Sequence, residues 1–156
     1  MKNYLFRFTL FVGMFAMLAI VVGPTTYAQD PRLPPTYGTV NLRAGFMPDP
    51  FVRNVVAGGP NLTTLGGVRA HVANAPDFRV NYTAGKYALT FYATSSADTT
   101  LLINLPNGEW IADDDSGGNL NPMIRLANPP SGQYDIWVGT VGRDTAPAAL
   151  HVTERR

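Results

Sequence analysis

The sequence predicts a single all-β domain, built as an antiparallel sandwich or barrel. Short apolar stretches alternate at near-regular spacing with clusters of glycine, proline and asparagine, which is the pattern of such folds. No stretch keeps the periodicity of about 3.6 residues that marks an amphipathic helix. The candidate strands are 38–42, 51–57, 68–73, 78–82, 88–94, 100–105, 123–126, 133–140 and 148–153.

Alternation within these segments predicts which side chains share a core. Along 133–140, Tyr134, Ile136 and Val138 point to one face, whereas Trp137 points to the other. The run 101–103 is apolar at every position, as expected of a strand that is covered on both faces. One sandwich core is the economical interpretation.

The first residues are predicted to be an export signal. Lys2 and Arg7 supply positive charge, residues 10–22 form a nearly unbroken apolar run, and small residues before Gln29 offer a cleavage site. An uncleaved membrane anchor is the alternative, although the run is short for a span of about 20 residues. The predicted organisation is a signal peptide at 1–28, an extended linker at 29–36 and a β-sandwich domain at 37–154, in a secreted or periplasmic protein.

Composition excludes several classes of function. Loss of Lys2 and Arg7 with the signal turns the formal net charge of +1 into about −1, and no basic run remains to bind nucleic acid. The absence of cysteine excludes disulfides, thiol catalysis and cysteine-ligated zinc. Once the signal is cleaved, no membrane association is expected either.

The part of the chain from 77 to 152 carries a series of short motifs. They are, in chain order, FRVNY at 78–82, AG at 84–85, PNG at 106–108, three aspartates at 113–115, SGQYDIWV at 131–138 and LHV at 150–152. Their order resembles the bacterial pre-peptidase C-terminal domain family. The resemblance implies a β-sandwich of jelly-roll type that accompanies catalytic domains in secreted proteins, binds calcium, and acts as an accessory or substrate-binding module.

The loop 113–121 is the main candidate for a site. Ca²⁺ takes about six to eight oxygen ligands. If the segment is extended, Asp113 and Asp115 face the same way, and Asn119 and Asp98 can add further oxygens. These four residues form the predicted Ca²⁺ site. The alternative is a solvated turn in which aspartates bond their own backbone, although adjacent carboxylates repel one another unless something neutralises them.

The same loop offers a catalytic alternative. The sequence DSGG at 115–118 resembles the motif around the nucleophile of chymotrypsin-like serine proteases. However, Asp114 stands where a glycine normally precedes it, and His71 and His151 lack the context of a catalytic base. The prediction is therefore that the protein is not an enzyme, with a serine hydrolase using Ser116 as the alternative.

Aromatic residues suggest a class of partner. Sugar-binding sandwiches often present exposed aromatic side chains, whereas tryptophan and tyrosine more often fill a core. Trp110 lies three residues before the acidic loop and is the first aromatic to test for contact with a ligand. The predicted function is an exported non-catalytic module, with Ca²⁺ in its loop and an extracellular protein or polysaccharide as its partner.

Overall fold

The structure is a computed structural model that describes residues 28–155. The predicted signal peptide, apart from Ala28, lies outside the described residues. The described chain forms strands and one short 3-10 turn at Leu65–Gly67. The strands are β1 (Thr39–Arg43), β2 (Phe51–Ala57), β3 (Asn61–Thr63), β4 (Ala70–Val72), β5 (Phe78–Thr83), β6 (Leu89–Thr94), β7 (Thr99–Asn104), β8 (Trp110–Asp113), β9 (Met123–Leu126), β10 (Gly132–Thr140) and β11 (Ala146–Thr153).

The strands form two sheets, so the prediction of an all-β sandwich is confirmed. Sheet A is centred on β10, which pairs with β5 along one edge and β7 along the other. Strand β1 pairs with the free edge of β5, and β8 pairs with the free edge of β7. Strand β4 pairs with the end of β10 at Thr140, on the same edge as β5, and β3 pairs with β4. Sheet B has the order β2-β11-β6-β9. All its pairs are antiparallel, whereas β1 and β5 of sheet A are parallel.

The main core lies between the sheets and follows the predicted alternation. Tyr134, Ile136 and Val138 are fully buried in it, opposite residues of sheet B such as Phe91 and Leu150. A smaller apolar cluster covers one part of the outer face of sheet A, and its buried members are Leu65, Ala70, Val72, Leu102 and Trp137. The strand β7 contributes to both clusters, which confirms that it is covered on both faces.

Two strands have no counterpart in the sequence pattern. β3 has only three residues, of which only Leu62 is aliphatic, and Leu62 is exposed. β8 lies directly before the acidic loop, and all of its residues are partly exposed. β3 is too short to show alternation, β8 has no buried position to mark a face, and each is held by pairing with a neighbouring strand that the pattern predicts.

The segment predicted as an extended linker contains neither helix nor strand, and it lies against the sandwich. Asp30 N–H donates to Asn74 O at 3.0 Å. The guanidinium of Arg79 donates to Pro31 O at 2.6 Å and to Leu33 O at 3.0 Å. The segment therefore forms part of the surface of sheet A. Within residues 28–155, no helix is long and apolar enough to cross a membrane.

Candidate functional site

The acidic loop connects β8 in sheet A to β9 in sheet B and closes with a tight turn. Asn121 N–H donates to Gly118 O at 3.1 Å, and Asn119 and Leu120 have φ values of 54° and 59°. Positive φ at both central positions is the geometry of a type I′ turn. Asparagine tolerates that conformation, whereas leucine adopts it at a cost in strain.

Asp113 braces the loop from inside. Its carboxylate accepts hydrogen bonds from Ser116 N–H at 3.0 Å, from the Ser116 hydroxyl at 2.6 Å and from Met123 N–H at 2.9 Å. Both carboxylate oxygens are thus engaged by donors of the loop and of the next strand. This is the geometry expected of an aspartate that organises a turn.

The other predicted ligands are arranged less compactly. Partial desolvation raises the pKa of Asp115, and the negative charges of Asp114, Asp98 and Asp113 raise it further. One oxygen of Asp98, Oδ1, is buried without a hydrogen-bond partner in the described structure. Asn119 contributes its backbone carbonyl to the Asn121 side chain at 3.0 Å. Across residues 28–155, no three His, Cys, Asp or Glu side chains converge as a metal-binding group.

The calcium site therefore stays a prediction, and the two aspartates at its centre allow a sharp test. Asp113→Ala should lower stability by about 1–2 kcal/mol with or without Ca²⁺, because it removes the internal hydrogen bonds of the loop. Asp115→Ala should leave stability unchanged or raised in chelator, because it removes a repelled charge. If Ca²⁺ binds, the parent protein should melt at a higher temperature in Ca²⁺, and Asp115→Ala should lose that gain.

The control for these melting curves is Asp144→Ala, which removes an exposed carboxylate from a different loop. Superimposed curves of the parent protein in Ca²⁺ and in chelator would show that the calcium prediction is wrong.

The geometry around Ser116 differs from that of a catalytic serine. The hydroxyl donates to the Asp113 carboxylate, whereas a nucleophilic serine donates to a histidine base. The two histidines lie in different sheets: His71 is in β4 of sheet A, and His151 is in β11 of sheet B. The ring of His151 stacks on Tyr92 at 4.3 Å between centroids.

A second candidate site lies on the outer face of sheet A, where side-chain amides form a row. Asn41 of β1 is opposite Asn81 of β5, which is opposite Gln133 of β10. The Asn81 amide nitrogen donates to Asn41 Oδ1 at 2.9 Å. The amide nitrogen of Asn41 and the amide oxygen of Asn81 have no partner in the described structure. The row therefore presents both a donor and an acceptor to a ligand.

This amide row lies in a longer surface groove, which we call the amide groove. The groove is formed by three adjoining open hollows, which share lining residues such as Gln133 and Asn104. It runs from Arg43 past the row to Trp110, and the segment around Arg32 forms one wall. Its lining residues include Arg43, Asn41, Asn81, Gln133, Asn104 and Trp110.

The charges of the amide groove are paired, with one exception. Asp135 is buried in the floor and accepts from Arg79 Nε at 2.6 Å and from the Gln133 amide at 2.7 Å. On the wall, the hydrogen bond from the Arg32 side chain lowers the pKa of Asp30 to about 2. Arg43 is exposed and has no ion pair in the described structure, so the groove carries an uncompensated positive charge.

Comparisons with known proteins do not assign a function to either candidate site. No family model matches the chain, and no curated protein matches it. Among solved structures, PliG of Aeromonas hydrophila, a periplasmic lysozyme inhibitor of g-type lysozyme, is similar at 15% identity with a TM-score of 0.44. The match covers 74% of this chain and 96% of that chain. A similarity this low carries no argument about function, and the resemblance to the pre-peptidase C-terminal domain family stays a prediction.

The amide row is not visible in the sequence. Its members are separated by 40 and 52 positions, and only the register of β1, β5 and β10 aligns them. The alternation of Asn41, Asn81 and Gln133 with apolar residues indicates that each faces outward, but it does not show that they are neighbours. Trp110, the aromatic chosen from the sequence, does line the end of the groove.

Proposed function

We propose that the processed chain is a secreted or periplasmic non-catalytic module that binds a glycan chain in the amide groove. The observation that carries this proposal is the row of Asn41, Asn81 and Gln133 across three neighbouring strands. Sugar hydroxyls both donate and accept hydrogen bonds, and side-chain amides offer both functions. Strands about 4.8 Å apart give the row a length of roughly 10 Å, which suits a short stretch of an extended oligosaccharide.

The aromatic end of the groove supports the same ligand class. Trp110 is partly exposed and packs on the buried Trp137, with ring centroids 5.1 Å apart and an interplanar angle of 44°. An indole held in place by a buried neighbour offers an apolar surface to the C–H face of a sugar ring at little cost in entropy. Amides in the middle and an aromatic ring at one end fit an extended polar chain.

The shape and charge of the groove indicate which class of glycan should bind best. It is open and polar, unlike the enclosed apolar pockets that take small hydrophobic molecules. Arg43, the uncompensated cation at one end, offers a planar fork of donors to a carboxylate. We therefore expect a polysaccharide that contains uronic acids to bind more tightly than a neutral one.

The test is a titration of residues 29–156 with a neutral and a uronate-containing oligosaccharide, measured by calorimetry. Replacing Gln133 or Asn81 with alanine should weaken binding of both by about tenfold, because each removes hydrogen bonds to the ligand. Arg43→Gln should weaken binding of the acidic oligosaccharide alone.

The matched control is Asn54→Ala, since Asn54 is an exposed asparagine on strand β2 of the other sheet. It should bind as the parent protein does. A groove variant with unchanged affinity, or a parent protein that binds neither oligosaccharide, would contradict the proposal.

A further inference from the structure

Strand β1 is an edge of sheet A, and its outer side carries backbone groups that no other strand uses. Gly38 O accepts from Arg79 N–H at 3.1 Å, and Ala44 N–H donates to Thr83 O at 2.9 Å. The even-numbered positions along β1 therefore direct their backbone groups toward β5. At the odd-numbered positions these groups point away from the sheet and have no hydrogen-bond partner within residues 28–155. The odd-numbered positions of β1 are Thr39, Asn41 and Arg43.

The inner face of β1 extends beyond the cover of sheet B. Phe78 of β5 stacks on Phe51 of β2, the last strand of sheet B on this side, with ring centroids 5.7 Å apart. The inward residues of β5 are buried, whereas Val40 and Leu42, the inward residues of β1, are only partly buried against the same core. The strand thus combines an unpaired backbone edge with an incompletely covered apolar face. Such an edge is a template for pairing with another strand.

We infer that two copies of the chain pair through β1, antiparallel and in the register that places Asn41 opposite Asn41 of the second copy. In this register the unpaired backbone groups of the two strands face one another and form about six hydrogen bonds. On the inner face, Val40 lies opposite Leu42 of the second copy, so each covers apolar surface of the other. On the outer face, Thr39 lies opposite Arg43 of the second copy, so polar side chains meet polar side chains.

The charge of Arg43 favours this register over its neighbours. A two-fold axis at Arg43 would place two guanidinium groups directly opposite each other, which is destabilising. An axis at Thr39 would leave most of β1 unpaired. With the axis at Asn41, Arg43 of one copy and Arg43 of the other lie about 13 Å apart along the strand direction. The sequence of β1 is therefore complementary to itself about Asn41.

Pairing through β1 doubles the amide row. Directly opposite residues of an antiparallel pair point to the same face, so Gln133, Asn81 and Asn41 of one copy continue into the same three residues of the second copy in reverse order. Strands about 4.8 Å apart give a continuous row of roughly 24 Å, against roughly 10 Å in one chain. The second copy thus contributes half of the site. The use of the longer row for a glycan rests on the proposed function, whereas the pairing itself does not.

The experiment is sedimentation equilibrium of residues 29–156 without ligand, at protein concentrations up to about 1 mM. A pair of short strands is a small interface, so we expect a reversible dimer with a dissociation constant in the micromolar range. Thr39→Arg should weaken the dimer about tenfold, because two-fold symmetry places the new cation opposite Arg43 twice in each dimer. Adding Arg43→Glu to Thr39→Arg should restore the dimer, since both pairs then join opposite charges.

The matched control is Asn54→Arg, which introduces the same cation on β2, the edge strand of sheet B, and should leave the dimer intact. A parent protein that is monomeric at the highest concentration overturns the inference, as does a dimer that Thr39→Arg does not weaken. A dimer that Asn54→Arg weakens instead pairs through β2, which also overturns it.

Calorimetry with neutral oligosaccharides of two lengths separates this inference from the proposed function. An oligosaccharide that spans roughly 24 Å should bind the parent protein about tenfold more tightly than one that spans roughly 10 Å. Thr39→Arg should remove this gain without changing the affinity for the short oligosaccharide. A dimer that binds neither oligosaccharide supports the pairing and contradicts the proposed function. A monomer that binds the short one supports the proposed function and overturns the pairing.

Discussion

Replacing Arg79 with methionine is expected to lower the free energy of unfolding by about 3–5 kcal/mol, because it leaves a buried carboxylate without its cation. Asp135 is 2% exposed, and its partner Arg79 approaches it to 2.6 Å from the adjacent strand. Methionine keeps the aliphatic part of the side chain but supplies no charge. Of the described hydrogen bonds to the Asp135 carboxylate, only that from the Gln133 amide would remain.

The same substitution should release the segment 29–36 from sheet A. Arg79 also donates to the carbonyl groups of Pro31 and Leu33, so its loss removes two of the bonds that hold this wall of the amide groove. Urea unfolding measures the first effect, and limited proteolysis of the segment measures the second. We expect cleavage in the segment before any cleavage of the sandwich.

The chain offers a matched control in a second pair of the same chemistry. Arg32 and Asp30 also form an ion pair, at 2.8 Å, but Arg32 is 88% exposed. Arg32→Met should not change stability measurably, since solvent screens such pairs. The double variant Arg79→Met, Asp135→Leu should recover much of the lost stability, because it leaves no charge in the buried site. Equal losses for Arg79→Met and Arg32→Met would contradict this account.

Replacing Asp77 with asparagine is expected to abolish a dependence of stability on pH between about pH 4 and pH 7. Asp77 is 3% exposed, and burial raises its pKa to about 7, although a hydrogen bond from Val138 N–H at 2.7 Å opposes the shift. The backbone of β10 explains why an aspartate is buried at this position. Val138 lies between the part of β10 that pairs with β5 and the part that pairs with β4, and the carboxyl of Asp77 accepts the N–H that no strand reaches.

The sign of the effect follows from the two pKa values. The native protein holds the proton of Asp77 up to about pH 7, whereas the unfolded chain releases it near pH 4. The native state binds more protons in this window, so stability falls as the pH rises and levels off above it. A difference of about three pKa units corresponds to a loss of about 4 kcal/mol.

The measurement is urea unfolding of the parent protein and of Asp77→Asn at several pH values from 4 to 8. Asparagine keeps an oxygen that can accept from Val138 N–H, so the variant should be the more stable protein at pH 8. The difference between the two curves removes the contributions of other titrating groups. The control Asp30→Asn should not change the slope above about pH 5, since the native pKa of Asp30 of about 2 and its unfolded pKa near 4 both lie below that range. Parallel curves for the parent and Asp77→Asn would rule out the assigned role.

Much of the sandwich could be predicted from local pattern. The bounds 51–57 and 123–126 match the observed strands β2 and β9. In each case a proline precedes the segment and a glycine or asparagine follows it within two residues, and these residues end strands for local reasons of backbone geometry. The buried face of β10 was likewise predicted, because the side chains of a strand alternate whatever its neighbours are.

The acidic loop likewise combines a feature that local sequence shows with one that only the fold shows. The acidic loop is visible in the sequence because its residues are consecutive, and the calcium prediction rests on that local composition. The role of Asp113 as an internal brace became visible only in the fold, since one of its hydrogen bonds comes from Met123, ten positions away.

By itself the sequence determined most of the strand-forming segments and the faces they bury, and it predicts that the chain is exported. The tertiary structure decided which outward-facing residues become neighbours. Asn41, Asn81 and Gln133 form a row only because three strands pair in one register. The loop 44–50 is held in place by Glu154, which accepts a hydrogen bond from Gly45 N–H although the two residues are 109 positions apart in the chain. The alternation of strands is a local property of the backbone, whereas register and loop placement depend on contacts between distant parts of the chain.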